Sequence, residues 1–140
     1  MEKKETAGIE RRKFKRLRVN FTVVYQVDRP LVARMTLGWR KEVEALMLDL
    51  SEGGMAIVTN YNIPPETILS LKFTLINLTL SSEKRIRIMR MTAQVRYNIP
   101  TGKKEHRLGV CFLEIEEEDR LAIVDFVKIA SVAGLTGYYA

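Results

Sequence analysis

Hydrophobic and polar residues alternate along the chain from Leu17 to Val27. Every second residue in this segment is apolar, and polar residues occupy most of the positions between them. Side chains of an extended strand point alternately to its two faces, so the pattern predicts a half-buried β-strand. Arg29-Pro30 ends the strand, because proline has no N–H to donate and restricts the residue before it. Residues 30–42 show no clear period.

Later segments repeat this alternation and predict five more strands. They span approximately residues 43–50, 55–59, 69–75, 89–98 and 106–115. Turn-forming residues separate them. These are Ser51-Glu52-Gly53-Gly54 in a tight hairpin, Pro64-Pro65, the polar run 81–84, and Pro100-Thr101-Gly102 at the end of the fifth strand.

The last part of the chain has a helical period. Glu116 to Asp119 place negative charge where a helix start favours it, and apolar residues recur with helical spacing from Leu121 to Ala130. Six short strands with one apolar face favour an antiparallel sheet closed into a barrel, because closure removes unpaired edges. We therefore predict an all-β fold, a six-stranded antiparallel β-barrel with a C-terminal helix over one end or flank.

Length and composition are consistent with a single domain. The chain has 140 residues, of which 46% are hydrophobic, enough for one ordinary core. Cys111 has no partner for a disulfide, no signal peptide is recognisable, and no apolar run approaches the roughly 20 residues of a membrane span, so we expect a cytoplasmic protein without membrane insertion. The expected organisation is a flexible tail (1–9), one domain (10–134) comprising an arginine-rich loop (10–16), the barrel (17–115) and the helix (117–133), and a second tail (135–140).

Most of the positive charge lies before the first strand. The formal net charge is +6, and residues 2–18 hold eight basic residues against three acidic ones. A basic arm of this kind suits an anionic partner, whether nucleic acid, an acidic membrane surface or a small phosphate-bearing ligand. The alternative is a solvated, partly disordered terminus.

Two stretches carry candidate binding chemistry. Arg12 and Arg16 are four residues apart, with Arg11 beside them. The planar fork of an arginine can hold a phosphate bidentately, bind the O6/N7 edge of guanine or stack on a base. In the second stretch, Asp49 and Ser51 share one face of a strand end, with Leu48 and Leu50 expected to face the core.

The chemistry of the second stretch has two interpretations. A carboxylate at Asp49 can accept hydrogen bonds from the N1 and N2 hydrogens of guanine, and Ser51 can complete the polar contact. Gly54 lacks a Cβ, so either ligand and backbone can approach closely or the turn can take a positive φ. The alternative interpretation is a hairpin turn capped by Asp49 and Ser51.

Together these stretches resemble the signature of the PilZ domain family. Arg12 and Arg16 match its Arg-x-x-x-Arg element before the first strand, and Asp49, Ser51 and Gly54 match its Asp/Asn-x-Ser-x-x-Gly element at a strand end. The segment Leu108-Gly109-Val110-Cys111-Phe112 is similar to the family's late Gly-x-x-Phe strand. The resemblance covers approximately residues 10–130.

The resemblance implies a barrel of the PilZ split-barrel type that binds the bacterial second messenger cyclic di-GMP (c-di-GMP) at its rim. The two motif arginines would hold guanine and phosphate, and the Asp-Ser-Gly element would line the surface for the other base. An additional arginine at the position of Arg11 is associated in the family with an intercalated pair of ligand molecules. The implied ligand-binding residues are Arg11, Arg12, Arg16, Asp49, Ser51, Gly53 and Gly54.

Catalytic readings have little support. Ser51 has no evident relay, because His106 is the only histidine. One histidine and one cysteine cannot form a zinc site of the usual composition, and Cys111 suits a small core residue. We therefore expect no enzyme activity, no catalytic residue, no metal and no cofactor.

The resemblance implies a receptor that signals to an effector protein in trans when its arm orders over the ligand, in processes such as motility or exopolysaccharide synthesis. The rivals are a PilZ-like adaptor without ligand and a small basic barrel for single-stranded nucleic acid. The nucleic-acid hypothesis is disfavoured because most aromatic residues alternate onto the core-facing side of the strands. Binding of single-stranded nucleic acid needs aromatic side chains along an exposed groove. Residues 29–42 are either strand extensions or an interaction surface, and the apolar helix face suits either barrel contact or a homodimer.

Overall fold

A computed structural model of the protein describes residues 17–29, 42–76 and 86–133. These residues form six strands and one helix. In chain order they are β1 (Leu17–Arg29), β2 (Glu42–Ser51), β3 (Gly54–Thr59), β4 (Ile68–Ile76), β5 (Ile86–Gly102), β6 (Glu105–Glu114) and α1 (Glu117–Ala133).

The strands close into a barrel. The order around it is β1-β2-β3-β6-β5-β4, every neighbouring pair is antiparallel, and β4 pairs with β1 to complete the ring. Closure leaves each of these strands with two hydrogen-bonded neighbours and so removes the exposed edges that favour aggregation. The predicted fold class, a six-stranded antiparallel barrel with a C-terminal helix, is confirmed.

The alternation in the sequence corresponds to side chains that point alternately into the barrel and out of it. In β2, Val43, Ala45 and Met47 are buried, while the alternating Glu42, Glu44 and Leu46 are exposed. The same division holds along β4, where every second residue is buried. The largest fully buried side chains are Tyr25, Met47, Leu50, Ile57, Ile63, Leu69, Met89, Leu108 and Ile123.

The apolar face of α1 packs against the barrel. Ile123, Phe126, Val127 and Ala130 are buried in the common core, and the rings of Phe21 and Phe126 lie 5.8 Å apart in a tilted arrangement. The sequence left this apolar face to either barrel contact or a homodimer. In the structure it contacts the barrel of its own chain. Among the described residues, no helix is long and apolar enough to cross a membrane.

The turn predicted at residues 100–102 is wrong. β5 continues to Gly102, Pro100 pairs with His106, and the turn falls at Lys103-Lys104. The register shifts between Pro100 and Gly102. Such an irregularity relaxes the ladder, and a strand tolerates a proline, which cannot donate a hydrogen bond, at bulges of this kind.

Tyr25 is a buried phenol whose hydroxyl lies 2.7 Å from Thr59 Oγ1. Burial raises the pKa of Tyr25 from 10.0 to about 12. The pKa of Tyr25 is higher in the folded protein than in the unfolded chain, so the protonated phenol stabilises the fold. This contribution is complete below pH 10 and is lost as the pH rises through about 12. The loss corresponds to roughly 2 to 3 kcal/mol of unfolding free energy.

Tyr25→Phe removes the titrating group. We expect it to cost about 1 kcal/mol at neutral pH, because the hydrogen bond to Thr59 is lost. Between pH 10 and 12 the stability of the variant should fall less than that of the wild type. Urea unfolding across this range measures the difference, and an equally steep fall in both proteins would contradict the assignment.

Candidate functional site

Asp49 lies where two strand irregularities meet. The pairing of β2 with β3 shifts register between Met47 and Asp49, and the pairing of β1 with β2 shifts between Arg18 and Phe21. The first shift makes Leu48 the extra residue of a bulge. Bulges re-aim side chains and are common beside binding sites. The prediction that Leu48 faces the core is wrong, since Met47 fills that place and Leu48 is only half-buried.

The carboxylate of Asp49 is nearly buried and is held on both oxygens. Oδ1 accepts a hydrogen bond from the backbone N–H of Ala56 on β3 at 3.1 Å. Oδ2 lies 3.5 Å from the guanidinium of Arg107 on β6. A carboxylate has about four lone-pair positions, so one such group can hold several donors at once. The bulge and these contacts fix the orientation of the Asp49 carboxylate.

Ser51 stabilises the turn that follows. Its Oγ accepts a hydrogen bond from Gly53 N at 3.2 Å and donates one to the carbonyl of Gly54 at 3.3 Å. The side chain is buried. The turn-capping interpretation of Ser51 is therefore realised in the structure, and the hydroxyl keeps one acceptor position for another partner.

Gly54 is required by the packing of β3 on β6. A Cβ at this position would lie well under 3.0 Å from the backbone carbonyl oxygen of Val110. The backbone of Gly54 is outside the left-handed region, so of the two alternatives given for this glycine the positive φ is not found. Next to it, the carbonyl of Gly53 accepts a hydrogen bond from Phe112 N at 2.9 Å. Close approach of a neighbouring strand therefore explains the glycine at position 54.

The turn is also tied to the helix. The guanidinium of Arg120 on α1 binds Glu52 at 2.7 Å and also binds Glu117. The hydrogen bond to Arg120 lowers the pKa of Glu117. The pKa of Arg120 is raised mainly by this hydrogen bond and, next, by the hydrogen bond to Glu52. Asp119, in the same helical turn, binds Arg87 of β5 at 2.7 Å. The predicted acidic helix start is therefore used in ion pairs with the barrel and within the helix.

The chain enters the barrel directly beside this turn. In the β1–β2 register, Leu17 pairs with Leu50 and Arg18 pairs with Asp49. Arg16 is the residue before Leu17 in the sequence. Arg11, Arg12 and Arg16 lie outside the described residues, whereas Asp49, Ser51, Gly53 and Gly54 are brought together within one strand end and its turn.

Sequence reasoning missed two arginines of this region. Arg107 reaches Asp49 from β6, and Arg120 reaches Glu52 from α1. Each is more than 50 residues from its partner in sequence, so no local spacing connects them. The contact of Arg107 with Asp49 can be predicted only once the strand order is known, because β6 lies next to β3 in the barrel.

The rim has no metal-binding geometry among the residues that the structure describes. No group of three His, Cys, Asp or Glu side chains in that part of the chain could hold a metal ion. His106 bonds to the side chain of Asn98, with Nδ1 3.0 Å from Oδ1. Cys111 is half-buried instead of lying in the core as expected. A groove of about 790 Å³ lies elsewhere, on the outside of β1, β4 and β5.

Comparison with known proteins identifies the family and the fold. The family model described as PilZ domain matches residues 10–128. The Bacillus subtilis inhibitor of motility, MotI/DgrA, has a similar structure with a TM-score of 0.66 at 20% sequence identity, covering 88% of this chain and 52% of that one. The PilZ domain of Escherichia coli YcgR, solved with c-di-GMP, gives 0.58 at 13% identity, covering 89% and 94%. The Klebsiella MrkH–c-di-GMP complex gives 0.59 at 12% identity, covering 89% and 53%.

The extent of these matches differs. The chain spans about half the length of MotI/DgrA and MrkH and nearly all of the YcgR PilZ domain. At these identities the structural neighbours establish the fold, and none of the curated protein sequences matches the chain. The family model extends over both the arginine-rich loop and the Asp-Ser-Gly turn. The chain therefore belongs to the PilZ domain family.

Proposed function

We propose that this protein is a cytoplasmic receptor for c-di-GMP without catalytic activity. One observation carries the proposal: the register places the entrance to β1 beside Asp49 and its turn. We propose that the two PilZ motif elements, more than 30 residues apart in sequence, meet at this rim, because the arginine-rich element directly precedes Leu17 in the sequence. Related domains solved with c-di-GMP support the ligand class.

Each element has a distinct role in the proposed site. Asp49 accepts hydrogen bonds from a guanine edge, and Arg107 holds its carboxylate in place. Ser51 and Gly53 keep the turn in shape through the hydrogen bond between Gly53 N and Ser51 Oγ. Gly54 lets β3 approach β6 closely enough to complete the rim. The arginines of the preceding loop supply bidentate donors for phosphate and guanine.

Signalling then follows from ordering the arm. In the proposed mechanism the arm folds over c-di-GMP when its arginines find their partners, and the new surface is recognised by an effector protein in trans. The structural neighbours include an inhibitor of motility and a PilZ domain from a cellulose-synthesising bacterium. Motility and exopolysaccharide synthesis are accordingly the processes we propose for its output.

Arg11 bears on the number of ligand molecules bound. Arg11 adds a third planar donor to those of Arg12 and Arg16, which suits an intercalated pair of c-di-GMP molecules. We propose this two-molecule site, and Arg11→Ala should convert it to a one-molecule site. A wild-type titration giving one ligand per chain would contradict it.

The proposed function is tested by isothermal titration calorimetry with c-di-GMP, with GTP and a single-stranded oligonucleotide titrated in the same buffer. Saturable binding to c-di-GMP and to neither competitor is the expected result. Binding to the oligonucleotide without c-di-GMP binding would favour the nucleic-acid alternative. No heat with any of the three would favour an adaptor without ligand.

Asp49→Ala should damage both stability and binding. The buried N–H of Ala56 loses its acceptor, which costs about 1 to 3 kcal/mol of unfolding free energy. Loss of a charged acceptor for guanine should lower c-di-GMP affinity by about 10- to 100-fold. Calorimetry and urea unfolding of the same preparations measure the two effects.

Two variants control for this interpretation. Asp49→Asn keeps an oxygen acceptor for Ala56 N–H, so most of the stability should return while the charge is lost. Asp28→Ala removes a partly exposed carboxylate further along β1, which lies 3.8 Å from the guanidinium of the adjacent Arg29, and should change neither quantity. Equal loss of c-di-GMP affinity in Asp28→Ala and Asp49→Ala would refute the site assignment.

A further inference from the structure

The outer side of the barrel carries a divided charge pattern. Four strands, β2, β1, β4 and β5, are neighbours in that order, and their outward residues form what we call the barrel face. One row across it is given by the register: Glu44 pairs with Val24, Val24 with Lys72, and Lys72 with Arg90. The row therefore runs from acid through an apolar residue to two bases.

The neighbouring rows extend this pattern. Glu42 on β2 adds a second acid to the β2 side, two residues from Glu44 on the same face. On the other flank of the charged row, Leu46 on β2 and Ile88 on β5 are exposed apolar side chains, at 39% and 56%. The barrel face thus has an acidic side, a basic side and an apolar end.

None of these charges is neutralised within the part of the chain that the structure describes. Glu42, Glu44, Lys72 and Arg90 form no ion pair with any described residue, in contrast to Arg87, Arg107 and Arg120. Lys72 and Arg90 lie directly opposite each other on adjacent strands, where like charges repel. The pattern favours an external partner that brings acid to the β4–β5 side and base to the β2 side.

The basic side is also concave. Two grooves, of about 790 Å³ and 570 Å³, share Val24, Lys72 and Arg90 in their walls. The larger is bounded on one side by residues 113–116, which are the end of β6 and its connection to α1. Side chains of a second surface can therefore enter between the strands and this connection.

We propose that a second copy of this chain occupies the barrel face in a two-fold symmetric dimer. A two-fold axis parallel to the strands, between β1 and β4, brings β2 of one protomer over β5 of its partner. Glu44 then meets Arg90 and Leu46 meets Ile88, and each contact occurs twice. An axis across the strands would instead superpose β2 on β2 and set acid against acid, so the charge pattern selects one arrangement.

The expected dimer is weak. Strand spacing and rise give the face a size of about 20 Å by 20 Å, or about 400 Å² per protomer, roughly half of a standard stable interface. The apolar face of α1 is already buried in the barrel, so it is not available for this contact. The proposed contacts use none of the described ligand-site residues, which are Asp49, Ser51, Gly53 and Gly54, so we expect the dimer to form without c-di-GMP.

Sedimentation velocity over a concentration series tests the dimer. The wild type should show concentration-dependent self-association at about 50 mM salt and at least a fivefold weaker association at about 500 mM. The double variants E42K/E44K and K72E/R90E should each be monomeric, because every cross-protomer pair then repels. An equimolar mixture of the two should associate again, because acid then faces base at both contacts.

A charge-matched control removes the effect of net charge. K103E/K104E changes the same number of bases in the exposed β5–β6 turn, away from the barrel face, and should associate like the wild type. Thermal unfolding checks that every variant is folded. A wild type that stays monomeric at all concentrations would overturn the proposal and leave the face to a different protein, and a mixture of folded variants that fails to associate would overturn it as well.

Discussion

Gly54→Ala is expected to lower the unfolding free energy by about 3 kcal/mol. A Cβ on residue 54 would collide with the backbone carbonyl of Val110, and a backbone atom cannot move aside as a flexible side chain can. Relief requires β3 and β6 to separate, although they are paired from Gly54 to Thr59. Urea unfolding at neutral pH measures the change.

Gly102→Ala is the matched control for this prediction. A Cβ at position 102 would lie 3.7 Å from the side chain of Glu105, an ordinary contact. The stability of this variant should stay within about 0.5 kcal/mol of the wild type. If Gly54→Ala unfolded at the same urea concentration as Gly102→Ala, close strand packing would not be the reason for the glycine in the motif.

This prediction separates two meanings of a motif glycine. The sequence suggested that Gly54 gives room to a ligand or allows a positive φ, whereas its backbone lies outside the left-handed region and its missing Cβ makes room for β6. In a Gly54→Ala protein that still folds at low temperature, a shift of β3 should break the hydrogen bond from Ala56 N–H to Asp49. Loss of binding in Gly54→Ala is therefore expected as a consequence of a displaced rim.

The fold was predictable because the strand pattern is local. One-sided alternation from Leu17 to Val27 indicates a half-buried strand whatever lies beside it. Closure into a barrel follows because six such strands and one helix leave little other structure to cover the sheet edges. The helix was predictable for the same reason, since its acidic start and apolar face lie within 17 residues. Local sequence periodicity carries these elements without any knowledge of their neighbours.

The fine geometry of the rim was not predictable, because it depends on pairing between distant strands. The bulge at Leu48 breaks the simple alternation that placed this residue in the core. Arg107 and Arg120 meet the motif only through the barrel closure and the docking of α1. Strand register is a tertiary property, and a single residue of slip reverses which face a side chain occupies.

Replacing Arg12 and Arg16 together by alanine is expected to lower c-di-GMP affinity by at least about 100-fold. A hydrogen bond to a charged group contributes about 1.5 to 3 kcal/mol, and each arginine is proposed to make such contacts with phosphate or guanine. Each single variant should lose about 10- to 100-fold. Because both residues precede β1, the unfolding free energy of the barrel should change little, and calorimetry together with urea unfolding measures both quantities.

The decisive comparison is with Lys13 and Lys15, which lie in the same arm. Lys13→Ala/Lys15→Ala also removes two positive charges from the arm but no planar fork. It should therefore cost only the screened attraction of the arm for an anion, about tenfold or less in c-di-GMP affinity. If the two double variants lost c-di-GMP affinity equally, the arm would act through charge without the geometry of the motif, and the arginine assignments would be wrong. A large loss confined to Arg12 and Arg16 would instead tie binding to bidentate recognition, which lysine cannot reproduce.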